Sequence, residues 1–283
     1  MKLPLNIDLK GKVAVVTGAG GILCADMAKA LGQCGAGVAV LDLNLEAATK
    51  VAEEINLAGG KAIGVKANVL EKASLEMAHT TILEKLGKVD ILVNGAGGNH
   101  PKGTTTKEYH EIGDEDKEEL TSFFDLDPAG IEFTFNLNFL GTLIPSQVFA
   151  KDMIGKEGCS IINISSMNAY TPLTKIPAYS GAKAAVSNFT QWLAVHFAKT
   201  GIRVNALAPG FFVTNQNAKL LKNEDGSWTA RAGKILAATP MGRFGESEEL
   251  LGTLLFLVSS EASGFINGVV IPIDGGFSAY SGV

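Results

Sequence analysis

Seven short apolar runs, separated by longer amphipathic stretches, set the rhythm of this chain. The runs lie at 12–17, 37–42, 61–66, 89–94, 160–165, 203–208 and 268–273. They are almost continuously hydrophobic instead of strictly alternating, which is the pattern of parallel strands covered on both faces. The stretches 22–34, 45–58 and 74–86 carry apolar residues at helical spacing. This order predicts an α/β fold: one doubly wound, seven-stranded parallel sheet with helices on both faces and right-handed crossovers. A length of 283 residues suits a single unit spanning 1–283.

Two segments break the rhythm. One, at about 98–131, is polar, acidic and poor in core residues; the other, at about 211–241, separates a strand from the next helix. Loops beyond the carboxyl ends of parallel strands border the ligand crevice of such sheets, so both are expected to act as substrate lids. Within the first, the acidic run 108–119 holds His110, Glu111, Asp114, Glu115 and Asp116 without the spacing of a ligand loop. It reads as a solvated helix face, and no metal is expected.

Composition narrows the function classes. With 46% hydrophobic residues, 19% charged and a net charge of -5, the chain has no basic field with which to bind nucleic acid. No apolar stretch is long enough to span a bilayer, and the N-terminus lacks a signal-peptide pattern, so a cytoplasmic location without membrane contact is expected. Cys24, Cys34 and Cys159 have no metal-ligand spacing and read as reduced residues of the interior.

The first run leads into Thr17-Gly18-Ala19-Gly20-Gly21-Ile22 and then a helical pattern. Glycines let backbone approach a phosphate, and a helix N-terminus offers unpaired N–H groups and partial positive charge. Asp42 closes the second run, about 24 residues past Gly18, where a carboxylate can accept hydrogen bonds from both ribose hydroxyls of a dinucleotide. A carboxylate there repels a 2′-phosphate, which favours NAD; NADP stays possible because Asn44, two residues on, would tolerate a phosphate if Asp42 turned away. Asn94-Gly95-Ala96-Gly97 closes the fourth run with small residues that suit close passage of a cofactor. Together these predict a Rossmann-type nucleotide site.

The second chemical centre is the run that ends in Ser165-Ser166, followed by Tyr179-Ser180-Gly181-Ala182-Lys183. Tyr179 and Lys183, four apart on a helix, share one face. A phenol of pKa about 10 is a poor base at neutral pH. A neighbouring ammonium and an oxidised nicotinamide ring would both favour its phenolate. Tyr179 could then exchange a proton with a substrate alcohol while hydride passes to or from the cofactor, with a serine hydroxyl holding the substrate oxygen.

These residues carry a resemblance that covers nearly the whole chain. Thr17-Gly18-x-x-Gly21, Asn94-x-Ala96-Gly97, Asn138, Ser166, Tyr179-x-x-x-Lys183 and Pro209-Gly210-x-x-x-Thr214 stand in the order of the short-chain dehydrogenase/reductase family. Ser166 lies 13 residues before Tyr179 and Asn138 lies 28 before Ser166, separations similar to the family's, which select them over Ser165 and Asn136. The resemblance implies Asn138, Ser166, Tyr179 and Lys183 as catalytic residues. Asn138 would anchor a water of the proton relay, Lys183 would also bond the nicotinamide ribose, and Thr214 would contact the carboxamide. Cofactor contacts are implied for Gly18, Gly20, Gly21, Ile22, Asp42, Asn68, Val69, Asn94, Ala96, Gly97, Tyr179, Lys183, Pro209, Gly210 and Thr214. Three departures touch the nucleotide side: a glycine loop one residue short with Leu23 in place of the last glycine, Gly95 in place of an asparagine, and Asn68 where an aspartate often meets adenine. The family also implies a homotetramer, with contacts along the helices after Asn138 and around Tyr179 and along the C-terminal strand.

The lids must supply the substrate. Gly98-Asn99-His100-Pro101-Lys102 and Phe123-Phe124-Asp125-Leu126-Asp127-Pro128, leading into Asn138, resemble a bacterial subgroup of D-mannonate oxidoreductases (fructuronate reductases). A sugar acid needs a cation and polar partners, and Asn99, His100, Lys102 and Ser166 are the expected substrate contacts. Lys175 is an outside candidate for the carboxylate, and Arg243 reads as structural. Other polyols, gluconate or a ketose are the alternative substrates. A non-catalytic dinucleotide-binding regulator is the remote alternative, disfavoured by the complete Asn/Ser/Tyr/Lys set and the missing basic patch.

Overall fold

Alternate residues of the first strand face opposite ways, and both ways are apolar. In the computed structural model, which describes residues 6–214 and 218–282, β1 (Val13–Thr17) is buried throughout. Ala14 and Val16 pack on one side with α1 (Ile22–Gln33) and α2 (Leu45–Leu57). Val13 and Val15 pack on the other with α3 (Lys72–Lys85). The same division runs through β2 (Gly37–Asp42), β3 (Lys61–Lys66), β4 (Ile91–Asn94), β5 (Cys159–Ile164) and β6 (Ile202–Pro209). Coverage of both faces is why these segments read as continuous apolar runs.

The strands are all parallel, in the order β3-β2-β1-β4-β5-β6-β7, with β7 spanning Val270–Ile273. The seven-stranded parallel sheet with flanking helices is the architecture the sequence predicts. Chain direction in the order reverses between β1 and β4, which opens the crevice where open α/β sheets bind nucleotides. Helices α4 (Pro128–Phe135), α5 (Gly141–Phe149) and α6 (Pro177–His196) follow β4 and β5. Asn136–Leu140 between α4 and α5 is a π turn.

Several boundaries move inward. The expected strand 89–94 begins at Ile91, directly after Asp90, which still donates its N–H to Val13 O at 2.9 Å and whose carboxylate lies at the lower edge of the sheet. There it accepts the Val13 N–H at 2.9 Å and pairs with Lys156 at 2.8 Å.

The two irregular segments take different forms. The acidic run 108–119, expected as a solvated helix face, forms no helix. Its carboxylates bond to backbone that a helix would need: Asp114 accepts the Glu111 N–H at 2.9 Å and Glu115 accepts that of Gly113 at 3.1 Å. Short acidic side chains compete with helix in this way. Gly113 also sits at φ +88, outside helical geometry. Asp114 is 2% exposed, clasped by Lys107 at 2.7 Å and Lys117 at 2.8 Å, and these partners hold its carboxyl well below the usual range. The 211–241 segment carries α7 (Ala218–Leu221) and α8 (Ala230–Ala238) over a small cluster of Leu221, Ala232, Ile235 and Phe244. Two helices, α9 (Leu251–Val258) and α10 (Ser260–Ser263), close the chain before β7.

Candidate active site

At the carboxyl end of β1 the backbone turns under glycine control. Gly18 has φ +66, and a Cβ there would stand 2.9 Å from the Ala96 backbone, so only glycine lets these two loops meet. Thr17 Oγ1 ties them together by accepting the N–H groups of Gly95 at 3.0 Å and Ala96 at 3.3 Å. Helix α1 begins at Ile22, and its N-cap, Gly21, provides no capping side chain, so the first turn presents its amides outward. Asp42 is fixed at the end of β2: its two oxygens accept the Gly20 and Asn44 N–H groups, each at 2.9 Å. These two bonds hold the carboxylate at the end of β2 and oppose its turning away. A side chain at Gly20 would strike Asp42 Oδ2 at 2.9 Å. This cradle fits a dinucleotide: glycine-lined approach, an open helix terminus for phosphate and an anchored carboxylate for ribose.

The other expected nucleotide contacts divide. Val69 packs at the edge of the crevice, close to Gly141. Asn68 uses its amide locally, donating to Glu71 at 2.8 Å and accepting the Leu70 N–H at 3.1 Å. The Asn94 side chain points inward, donating to Ser146 at 3.0 Å and Asn163 at 2.9 Å, so only its backbone faces the crevice end. Gly210 follows Pro209 and donates its N–H to Ile273 O at 2.9 Å, pressing β6 against β7. Thr214 is half-buried beyond them.

The sequence departure at Gly95 has a partner that local reading missed. A Cβ at 95 would lie 2.2 Å from Cys24 Sγ, so the thiol occupies the space of a residue-95 side chain. Burial pushes the Cys24 thiol up to about 12, which keeps it neutral. Thr17 and Cys24 both support the cradle; the only sequence signal for Cys24 was that Gly95 lacks a side chain.

The chemical residues converge on Gly97. A Cβ there would stand 2.6 Å from Asn138 Oδ1 and 3.2 Å from Lys183 Nζ, which places both groups around one backbone position. Asn138, fully buried in the π turn, donates to Gly98 O and Thr134 O, both at 2.7 Å, and accepts the Gly98 N–H at 3.3 Å. Lys183, 4% exposed, donates to Ile164 O at 2.8 Å and lies 5.6 Å from the centre of the Tyr179 ring. Ser165 Oγ bonds Ser187 at 2.7 Å and Lys183 O at 3.1 Å, directed into α6. Ser166 instead accepts the Asn168 N–H at 3.3 Å and stands beside the Tyr179 hydroxyl. Burial pushes Tyr179 up to about 12 against the opposing pull of Ser166, and pushes Lys183 down to about 8. Desolvation is the largest cause for both groups, and the Ser166 hydrogen bond is the opposing influence on the phenol.

The expected substrate contacts lie just beyond β4 but bond among themselves. Asn99 donates to Thr104 at 2.9 Å, and His100 accepts the Lys102 N–H at 3.2 Å while its ring meets Phe133 edge-on. Lys102 pairs with Asp127 at 3.0 Å. Arg243 donates two parallel hydrogen bonds to the Glu249 carboxylate, at 2.6 and 2.7 Å. Among the described residues no group of three or more His, Cys, Asp or Glu could hold a metal ion, and no helix is long and apolar enough to cross a membrane.

The family model for short chain dehydrogenases matches residues 12–225. The chain belongs to the short-chain dehydrogenase family. It is accordingly an oxidoreductase of alcohol groups. An uncharacterized oxidoreductase of Haemophilus influenzae is 62% identical over 284 residues, covering 100% of this chain and 99% of the relative. A second, from Bacillus subtilis, is 53% identical, covering 99% of this chain and 100% of the relative. Among Escherichia coli enzymes, 7alpha-hydroxysteroid dehydrogenase is 31% identical, covering 96% of each chain, and 2-dehydro-3-deoxy-D-gluconate 5-dehydrogenase is 32% identical, covering 96% of this chain and 97% of the relative. A crystal structure from Haemophilus influenzae, named as a candidate D-mannonate oxidoreductase with bound NAD, superposes with a TM-score of 0.94 at 62% identity and covers 100% of both chains.

Two predictions follow from the cradle and the buried amine. Gly95→Ala should destabilise the protein by about 1–3 kcal/mol through overpacking. Adding Cys24→Ala should restore at least half of that loss in a denaturation double-mutant cycle. Lys183 binds fewer protons folded, with its pKa at about 8, than unfolded, at the ordinary value of 10.5. The Lys183 contribution to stability should therefore grow with pH between about 8 and 10.5, against the opposite slope that Cys24 and Tyr179, both raised to about 12, add above about 9. Thermal melts should show the stability of the wild type relative to Lys183→Met increasing with pH over that range.

Proposed function

We propose that this chain is an NAD-dependent dehydrogenase that interconverts D-mannonate and D-fructuronate, with Tyr179 as general acid/base. The observation that carries the chemistry is the convergence of Tyr179, Ser166, Lys183 and Asn138 around Gly97, next to the glycine-lined cradle. The substrate follows from the 62% identical neighbour named for D-mannonate, at full coverage of both chains. The 32% identical gluconate-derivative dehydrogenase favours, as second reading, another sugar acid.

The dinucleotide supplies the acceptor or donor of hydride. Asp42, anchored by Gly20 and Asn44, receives the adenosine ribose and repels a 2′-phosphate, so NAD is the cofactor. The α1 N-terminus from Gly21 and Ile22 takes the phosphates, and Gly97, Lys183 and the Pro209-Gly210 turn with Thr214 border the nicotinamide end. In oxidation the substrate hydroxyl is held by Ser166 and gives its proton to the Tyr179 oxygen as the C–H bond releases hydride, leaving a ketone. Reduction runs the same proton back. The Lys183 ammonium favours the phenolate, and Asn138 positions water behind it for exchange with solvent. Asn99 and His100 receive substrate hydroxyls. The segments 98–131 and 211–241 form the lids of one catalytic unit. Exposed Trp192 and Val195 on α6 and Phe265 near β7 support assembly as a homotetramer. The three cysteines, free and buried or half-buried, accord with a reducing, cytoplasmic setting.

Tyr179→Phe should lower NADH oxidation with D-fructuronate, followed at 340 nm, by about 10³-fold while leaving NADH binding by fluorescence nearly intact. Wild-type turnover of another ketone but not fructuronate would retain the chemistry and reject this substrate. Asp42→Ala should weaken NADH binding about tenfold and narrow the preference over NADPH; an unchanged preference would reject Asp42 as its source.

A further inference from the structure

The carboxylate of a sugar acid needs a receiver, and Lys102 is held by Asp127. In D-mannonate three carbons separate the acid group from the carbon oxidised in this reaction, so the receiver must lie beyond Ser166 and Tyr179. The fold puts two segments there. β4, β5 and β6 are neighbours, and the 98–131 and 211–241 segments leave the same sheet edge on either side of the β5 end that carries Ser166.

One ion pair crosses that gap. Lys234 Nζ on α8 donates to Glu108 Oε1 at 2.8 Å. The Glu108 segment is also docked on the approach to the catalytic helix: the Thr105 N–H donates to Lys175 O at 2.9 Å, and Gly103 packs beside Ala178. Lys175 has φ +73, the one positive value among described non-glycine residues. Such a backbone is rare for lysine and collects at functional sites. Arg231 and Lys234, three apart, lie on one face of α8.

Three other carboxylates of the segment, Glu111, Asp114 and Glu115, have partners of their own. Lys107 pairs with Glu111 and Asp114, Lys117 with Asp114, and His110 with Glu115. Glu108 faces three cations instead: Lys234 by contact, with Lys175 and Arg231 adding attraction that holds its carboxyl below the usual range. Lys234 is the contact partner of Glu108, and Lys175 and Arg231 add positive charge around the same carboxylate. Exposed ion pairs are weak, so an incoming anion can exchange with Glu108 at little cost.

We infer that Lys175, Arg231 and Lys234 receive the substrate carboxylate, and that Glu108 is an internal anion which occupies their site until substrate displaces it. This rests on the sugar-acid reading above.

The test compares D-fructuronate with D-fructose, its uncharged counterpart, in the wild type, Glu108→Gln and the double variant Arg231→Ala/Lys234→Ala. Calorimetric binding of D-mannonate and D-mannitol to the NADH-loaded protein gives a readout independent of turnover. The double variant should raise KM for fructuronate at least tenfold and lower the acid-over-neutral ratio of kcat/KM by a similar factor. Glu108→Gln should move KM the other way, down about threefold, because it removes the competitor. If the ion pair were only a strap, both variants would lose it and shift KM in the same direction, which would overturn the inference. Preference for the acid in wild type that survives in the double variant would also overturn it while sparing the sugar-acid reading. No wild-type preference for the acid in either assay would remove both.

Discussion

Parallel pairing is the constraint from which the site follows. In a sheet whose strands all run one way, every carboxyl end reaches the same edge, and each connection must return across a face before the next strand begins. Helices on both faces then bury the strands, and the only irregular backbone lies at the two edges. The lower edge of this sheet is closed by Asp90, Lys12 and Lys156. The upper edge collects the glycine turn after β1, Asp42 after β2, Gly97 after β4, Ser166 after β5 and Gly210 after β6. No two of these are close in sequence, yet strand order leaves them no other place to be.

Close approach has to be made possible atom by atom. Gly18 against Ala96, Gly95 against Cys24 and Gly97 against Asn138 and Lys183 are sites where one methyl group would collide. The polar core beneath them is a connected set. Asn94 bonds Ser146 and Asn163, and Asn163 donates to Thr190 at 2.9 Å. These amide bonds link β4, β5, α5 and α6. Lys183 is buried beside this set, and the loss of solvent lowers its pKa to about 8.

Much of this was legible in the sequence because it is local or periodic. The apolar runs gave the strands, and the Tyr179/Lys183 and Ser166 spacings gave groups that the fold does bring together. Asp42 was readable from its place at a strand end. Other features depend on encounters between distant residues or on competition that composition hides. Charge along 108–119 suggested a helix face, but Asp114 and Glu115 capture the backbone amides of Glu111 and Gly113 and replace helix with turns. Asn94 looked like a cofactor contact, yet its amide has better partners inside. Cys24 filling the volume at Gly95, and Glu108 meeting Lys234 across 126 residues of chain, leave no trace in any local window.

The π turn at Asn136–Leu140 sets the direction in which Asn138 points. Such a turn is an α-helix carrying one residue too many, and the surplus swings the following positions around the helix axis. Asn138 reaches Gly98 and Thr134 from within that swing. Deleting a single residue there would let α4 and α5 fuse into a regular helix, a change that backbone energetics would favour. The same deletion would rotate the asparagine out of the pocket. The turn thus trades helical regularity for an asparagine that faces Gly98, a position the regular form of the same helix would not reach.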